Sequence, residues 1–414
     1  MMKLVLAHIT DRPMAALLNI GLIAFTSALL MALTAVTMHV SNRFERDMAG
    51  IDLVVSAKGS PLQIILSSLF HVDAPTGNVS VDAVEGLMRD PLVKQAIPIA
   101  TGDRFRGFRV VGTTPAYLAL YGAEAATGEA SIGEEEAVAG AAAASATGLQ
   151  VGQRIAISHG LGGEDGPEHA AHPLTIAGVL KPTGTVIDRL ILTNIEAVWE
   201  AHGIHDDHDE THDHEHDDDE DHAEEMASEP SDQAREPEYT ALLIRYASPL
   251  AAIRLPQKIN TQGTLMAAVP AFESARLLNL FGAGRETLAI VATAFAALGA
   301  FAIFAGLWSA LNQREHDIAL FRLLGASKSQ VIRLLVLEGA LVAGLGGLLG
   351  WAVSRVFLWR LASTVPTLGD SGLRLFATSS PELLIMAATL ILGALAALPA
   401  GLRAARLPLE RALG

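Results

Sequence analysis

Four long apolar segments constrain this chain more than any other feature of its sequence. Residues 13–38, 287–313 and 383–402 contain no charged side chain, and residues 334–354 contain only Glu338. A bilayer core about 30 Å thick is crossed by about 20 helical residues, so each segment is long enough to span it. The sequence therefore predicts an α-helical membrane protein with four transmembrane helices.

The first apolar segment differs from a cleaved signal peptide. Its length exceeds the hydrophobic region of a signal peptide, which is roughly 7–15 residues. No small-residue cleavage pattern follows Met38. We therefore expect residues 1–40 to form a short N-terminal segment and a retained first transmembrane helix.

The basic residues near the span ends predict the orientation of the chain. One set of ends has nine such residues: Lys3, Arg12, Arg314, Arg322, Lys328, Arg333, Arg403, Arg406 and Arg411. The opposite set has three: Arg355, Arg360 and Arg374. Because Lys and Arg are enriched on the cytoplasmic side of membranes, both termini are expected in the cytoplasm. Residues 41–285 and the connection 355–381 are then expected on the opposite side of the membrane.

The segment between the first two spans is long enough for a hydrophobic core of its own. Alternating patterns predict strands at 51–55, 109–112, 153–157 and 174–180, and helical patterns lie at 81–88 and 195–202. This mixture favours an α+β domain over residues 41–285. A helical pattern from Pro270 to Arg285 leads directly into the second span. No arrangement typical of a nucleophile or of paired acids occurs there, so we expect no catalytic residues and no enzymatic activity.

The net charge of −16 belongs to one segment. From His205 to Glu238 there are seventeen acidic residues against Arg235 alone, whereas the rest of the chain has 28 acidic and 28 basic residues. The segment of about 202–238 is too polar to fold alone, and we interpret it as a disordered insert. The chain has no cysteine, which excludes disulfides and thiolate metal sites.

Histidines are concentrated in this insert, interleaved with carboxylates. Imidazole nitrogens and carboxylate oxygens are ligands for Zn²⁺, and also for copper and nickel. The predicted ligands are His205, His208, His212, His214, His216 and His222, with a second cluster of His159, His169 and His172. The alternative is a solvated acidic loop in which histidine has no metal role.

The stretch after the second span carries the most specific pattern. It contains Arg314 and Glu315, then Arg322 followed by Gly325-Ala326-Ser327, then Glu338 early in the third span. This order resembles the FtsX-like and MacB-like permeases, the mechanotransmitting class of ABC transporters. The resemblance implies a bacterial inner membrane, with the domain between the first two spans in the periplasm. Three further segments are similar to parts of the same family: residues 52–59, residues 137–153 and the tail 404–413.

The resemblance implies that the permease and the ATPase are separate subunits. Residues 286–414 would form the permease domain, and the loop 312–333 would couple it to a cytoplasmic ABC ATPase through Arg314, Glu315, Arg322, Gly325, Ala326, Ser327 and Glu338. No Gly-x-x-x-x-Gly-Lys-Ser/Thr sequence occurs in these 414 residues, so ATP is expected to be used by the partner and no prosthetic group is expected here.

Further partners follow from the same resemblance. They are a second permease in a homodimer or heterodimer, a periplasmic substrate-binding protein or lipoprotein, and membrane lipid; no nucleic acid is expected. The work would be export or the handling of peptides or lipoproteins, with a link to zinc suggested by the insert. Glycines of the third span suit close helix packing, either within one chain or between two copies.

Two alternative functions remain open from the sequence. One is a signalling or scaffold protein that activates a periplasmic cell-wall hydrolase without moving a substrate. The other is a metal-binding membrane receptor whose spans serve only as anchors, and which would have no ATPase partner.

Overall fold

The computed structural model describes residues 13–159, 172–202, 236–261, 263–313, 318, 320, 322–364 and 378–406. The chain divides into two compact units. The α+β unit comprises residues 43–277, and the helical unit comprises residues 1–42 and 278–414. Within the described residues, four helices are long and apolar enough to cross a membrane, which confirms the predicted number of spans.

The α+β unit consists of short strands with helices between them. Its strands are β1 (Leu53–Ala57), β2 (Val79–Ser80), β3 (Val93–Phe105), β4 (Phe108–Gly112), β5 (Ala125–Gly128), β6 (Glu136–Ala139), β7 (Arg154–Ile155), β8 (Ser158–His159), β9 (Leu174–Leu180), β10 (Leu190–Thr193), β11 (Glu238–Tyr239), β12 (Ala241–Tyr246) and β13 (Leu265–Ala268). The helices whose bounds lie within the described residues are, in order, α1 (Pro13–Asp47), α2 (Pro61–Ser68), α3 (Val81–Met88), α4 (Pro115–Leu120), α5 (Ala141–Thr147), α6 (Ile195–Ala201), α7 (Ala251–Thr261), α8 (Pro270–Gln313), α9 (Lys328–Thr364) and α10 (Ser380–Arg406). A 3₁₀ turn at Val186–Arg189 precedes β10.

Most of the described strands belong to one mixed sheet. Its order is β13-β1-β12-β3-β4-β10-β6-β9-β5, with β7 also paired to β9 and β8 to β3. The pairs β4–β10 and β6–β9 are parallel and the other pairs are antiparallel. The strands β2 and β11 form a separate small ladder.

Both faces of the central strands are covered, because alternate residues enter different hydrophobic clusters. In β1, Val54 belongs to one cluster while Leu53 and Val55 belong to another. In β10, Leu192 and Ile191 are divided in the same way. Successive side chains of a strand point to opposite faces of the sheet, so an apolar core lies on each side of it.

The predicted elements of this unit are confirmed to different degrees. The helical pattern at 81–88 coincides with α3, that at 195–202 with α6, and the alternating pattern at 174–180 with β9. The strand predicted at 153–157 is only the two residues of β7. The long strand β3 and the buried strand β12 were not predicted.

The four membrane helices extend beyond the apolar segments that predicted them. The helical pattern from Pro270 is confirmed, since α8 is one unbroken helix through the second span. The third apolar segment ends at Ser354, and α9 continues beyond it to Thr364. Apolar composition marks only the part of a helix that lies in lipid, whereas backbone hydrogen bonding continues into the polar residues beyond it.

Glycines of α9 pack against other helices of the same chain. A Cβ atom built at Gly350 would lie 2.6 Å from the Ala24 carbonyl oxygen of α1, and one at Gly346 would lie 2.7 Å from Ile23 Cγ2. A Cβ at Gly339 would lie 2.6 Å from the Gly393 carbonyl oxygen of α10. Small residues permit this close approach, so these glycines are used within one chain.

Candidate functional site

The predicted coupling loop contains a sharp corner between two helices. The backbone at Gly325 has φ of +100°, a conformation that favours glycine. The Gly325 amide donates to the Arg322 carbonyl at 3.1 Å, and the Leu324 amide donates to the Leu320 carbonyl at 3.0 Å. Gly325 therefore ends this helix as a C-cap glycine does.

The next helix, α9, starts at Lys328 and is capped by Ser327 and Gln330, each of which accepts a hydrogen bond from the other's backbone amide. The Ser327 amide donates to Gln330 Oε1 at 2.8 Å, and the Gln330 amide donates to Ser327 Oγ at 3.3 Å. This is the capping-box arrangement at a helix N-terminus. Gly325 and Ser327 thus act on the backbone, because one ends a helix and the other begins α9.

The same segment exposes apolar side chains. Leu320, Leu323 and Leu324 are 52%, 47% and 79% exposed. Ile318 instead packs against the cluster that contains Val331. The segment is therefore attached to the helical unit on one side and presents leucines on the other.

The remaining predicted coupling residues have less uniform positions. Arg314 and Glu315 lie outside the described residues. Arg322, Ala326 and Glu338 are half-buried, and both Arg322 and Glu338 take part in polar interactions. Their part in coupling stays a prediction.

An aromatic contact lies at the same end of the membrane helices. The Arg403 guanidinium lies over the Trp308 ring, 4.1 Å from its centroid. It links α10 to α8 close to where α8 ends. The residues are far apart in sequence, so no local pattern indicated the contact.

A buried ion pair joins the C-terminal part of α9 to the N-terminal turn of α10. The Arg355 guanidinium contacts the Glu382 carboxylate, and their side chains are 7% and 1% exposed. Glu382 also accepts from the Ser379 amide at 2.9 Å, and the Arg355 guanidinium lies 5.5 Å from the centre of the Trp351 ring. Arg355 was predicted in the connection between the third and fourth spans, and in the structure it lies within α9.

Two of the predicted metal ligands lie within the described residues and the others lie outside them. His205, His208, His212, His214, His216, His222 and His169 lie outside the described residues. His159 is the last residue of β8, and His172 is an exposed residue before β9. Among the residues that the structure describes, no group of three His, Asp or Glu residues could hold a metal ion. The metal role of the insert therefore stays a prediction.

The two ends of the insert lie beside one another. The Trp199 indole Nε1 donates to the Glu238 carbonyl at 2.8 Å, and the Trp199 and Tyr239 rings are 5.7 Å apart. Asn194 begins α6 by accepting from the Ala197 amide at 3.1 Å. The insert therefore begins after α6 and ends at β11, and these two elements lie side by side.

Two family models match the chain in succession. The model of the MacB-like periplasmic core domain matches residues 16–238, and that of the FtsX-like permease C-terminal region matches residues 289–409. The four apolar helices and this periplasmic domain fit a multi-pass protein of the inner membrane. No curated protein matches the chain significantly.

Solved structures with remote similarity include two extracytoplasmic domains. The periplasmic region of MacB from Actinobacillus actinomycetemcomitans is 8% identical, with a TM-score of 0.34, over 57% of this chain and 96% of that one. The extracellular domain of the ABC-type transporter YknZ from Gram-positive bacteria is 12% identical, with a TM-score of 0.30, over 52% of this chain and 98% of that one. At TM-scores this low, the assignment rests on the two matched regions. Since the first of these alone spans more than half of the sequence, the chain belongs to the family of ABC-transporter permeases with a MacB-like periplasmic core domain and an FtsX-like C-terminal region.

Proposed function

We propose that this chain is the membrane subunit through which a separate ABC ATPase moves a periplasmic domain. In this family the permease and the ATPase activity reside in different subunits. ATP hydrolysis would displace the coupling segment, and the membrane helices would carry the displacement outward.

The exposed leucines of the coupling segment support the docking of a soluble partner. Leu320, Leu323 and Leu324 stand at positions i, i+3 and i+4, the spacing of one helix face. Apolar side chains presented on a short helix can enter a groove on a partner protein. The cap at Gly325 and the capping box at Ser327 fix the direction of this face.

The continuity of α8 supports the transmission step. The helix begins at Pro270, before the second span, and ends at Gln313, where the coupling segment starts. A continuous helix transmits a displacement along its axis better than a flexible loop. We also propose that the complex handles peptides or lipoproteins, on the basis of the family resemblance, and that its activity is linked to zinc, on the basis of the His-rich insert.

A leucine substitution tests the proposed docking face. We expect Leu324→Asp to weaken association with the ATPase by about tenfold or more, because a carboxylate would be buried in an apolar contact. The measurement is affinity between the full-length chain in detergent and the ABC ATPase that co-purifies with it. Ile253→Asp, at a 64% exposed position of the α+β unit, is the matched control and should bind normally.

Two results would count against the proposal. One is that no protein with a P-loop ATPase sequence co-purifies with the full-length chain. The other is that Leu324→Asp and Ile253→Asp associate with the ATPase equally well. A receptor that uses its spans only as anchors would give the first result.

A further inference from the structure

A β-bulge places an acidic side chain beside the end of α6. Between Thr101 and Arg104, two residues of β3, Gly102 and Asp103, lie opposite Val110 alone in β4. Such bulges re-aim side chains and are frequent next to functional sites. The Asp103 side chain is fully buried.

The neighbouring imidazole is held in a defined orientation. His202 follows the last residue of α6, and its Nδ1 lies 2.6 Å from the Val198 carbonyl oxygen. A carbonyl only accepts, so Nδ1 carries the hydrogen and Nε2 of the neutral ring keeps its lone pair. That Nε2 atom lies 3.8 Å from Asp103 Oδ1.

The separation between these two atoms fits shared coordination of an ion. It is too long for a direct hydrogen bond. Zinc binds imidazole nitrogen at about 2.0–2.1 Å and carboxylate oxygen at about 2.0–2.2 Å. Two such ligands are about 3.4 Å apart at a tetrahedral angle, so the observed 3.8 Å requires the two atoms to approach by about 0.4 Å when the ion binds.

The surroundings of His202 also suit a metal ligand. A ring N–H that donates to a backbone carbonyl is the usual outer partner of a metal-bound imidazole, because it fixes the tautomer and the ring orientation. Residue 102 has no side chain, and a Cβ there would lie 3.1 Å from His202 Nε2. Glycine at this position therefore keeps open the space beside the nitrogen.

We propose that Asp103 and His202 are two ligands of a divalent transition-metal ion of the Zn²⁺ class. One nitrogen and one oxygen ligand suit zinc better than magnesium or calcium, which prefer oxygen alone. His159, a histidine of the predicted second cluster, is paired in register with Asp103 across β8 and β3, so the backbones of these two residues are adjacent. The proposal depends neither on ATPase coupling nor on the six histidines from His205 to His222 that were predicted as metal ligands.

The competing explanation is a structural one. A protonated His202 paired with Asp103 would fix α6 to β3 and would have no affinity for a metal. The two explanations differ in zinc binding, which can be measured directly.

The first test uses the full-length chain in detergent with six insert histidines replaced by asparagine (His205, His208, His212, His214, His216 and His222). Zn²⁺ is titrated in competition with a chromophoric chelator. We expect one retained site, weakened at least about tenfold by Asp103→Asn or by His202→Gln, and unchanged by Glu124→Gln at an exposed carboxylate. The proposal is overturned if the six-fold variant binds no zinc, or if both pair substitutions leave its affinity unchanged.

A second measurement needs no substitution at the pair. Diethylpyrocarbonate acylates accessible imidazole nitrogen, and the His202 side chain is 22% exposed. In the unmodified chain, Zn²⁺ should protect His202 from acylation, as mapped by mass spectrometry, whereas Mg²⁺ should not. Equal acylation of His202 with and without Zn²⁺ would contradict the proposal even if the variants failed to fold.

Discussion

At the scale of single residues, His71 shows how burial sets a protonation state. It has a left-handed backbone, with φ of +54°, and its Nε2 lies 3.2 Å from the Tyr117 hydroxyl. Burial, aided by the charges of Arg109 and Arg189, lowers the pKa of His71 to about 3. The ring is therefore neutral in the folded protein at every pH near neutrality.

This neutral histidine makes stability depend on pH. In the unfolded chain His71 protonates below about pH 6.5, whereas the folded state does not bind this proton until about pH 3. The free energy of unfolding must therefore fall as the pH falls through that window. His71→Asn, which tolerates a positive φ, should lose about 2 kcal/mol less between pH 7 and pH 5 than the wild type.

Hydrogen exchange of the β4 and β10 amides in the full-length chain measures this difference. The two proteins are compared at matched intrinsic exchange rates across the pH window. Parallel losses of protection in the variant and the wild type would mean that His71 does not cause the acid sensitivity.

At the scale of elements, the pair Arg355–Glu382 joins two membrane helices at one end. A buried ion pair contributes little net stability compared with apolar replacements, because desolvation offsets the attraction. Removing one partner is different, since the other charge is left buried and unpaired. The glutamate also caps α10 through the Ser379 amide.

A double-mutant comparison separates these effects. Glu382→Gln keeps an acceptor for the cap but leaves Arg355 buried and unpaired, and we expect a loss of about 3–5 kcal/mol. Adding Arg355→Met should recover most of that loss. Thermal unfolding of both variants in one detergent checks this expectation, and a double variant no better than the single one would disprove it.

Elements were predictable from sequence where a local pattern produces them. The spans were predicted because lipid requires about 20 apolar residues, and β9 because its side chains alternate. The end of α9 was not, since this helix continues past the apolar segment. Contacts such as Asp103–His202 and Trp308–Arg403 could not be predicted, because each joins residues distant in sequence that only the tertiary fold brings together.

At the scale of the whole molecule, α8 is the connection on which the proposed transmission depends. It is helical without interruption from Pro270 to Gln313. Glu286 is an exposed residue of this helix just before the apolar span. A break there would separate the membrane part of the helix from its beginning.

Substitution of Glu286 tests whether helix continuity matters. Proline in a helix interior costs about 3 kcal/mol and kinks the helix, whereas Glu286→Ala removes the same carboxylate and preserves the helix. We expect Glu286→Pro to bind the ATPase normally but to abolish the ATP-dependent change in hydrogen exchange of β3 and β4. If the proline and alanine variants respond to ATP alike, transmission does not require an unbroken α8.

The glycine contacts between α1 and α9 also bear on how the protein is made. The helical unit combines residues that precede and follow the α+β unit in the sequence, and Gly350 is synthesised about 325 residues after Ala24. At roughly 5–20 residues per second, the first span remains in lipid for about 15–60 seconds before its packing partner exists. The Thr26 hydroxyl donates to the Leu22 carbonyl of the same helix at 2.9 Å, which satisfies it without any neighbour. The nascent first helix can therefore remain in the bilayer before α9 is made, because the Thr26 hydroxyl is already hydrogen-bonded within the helix.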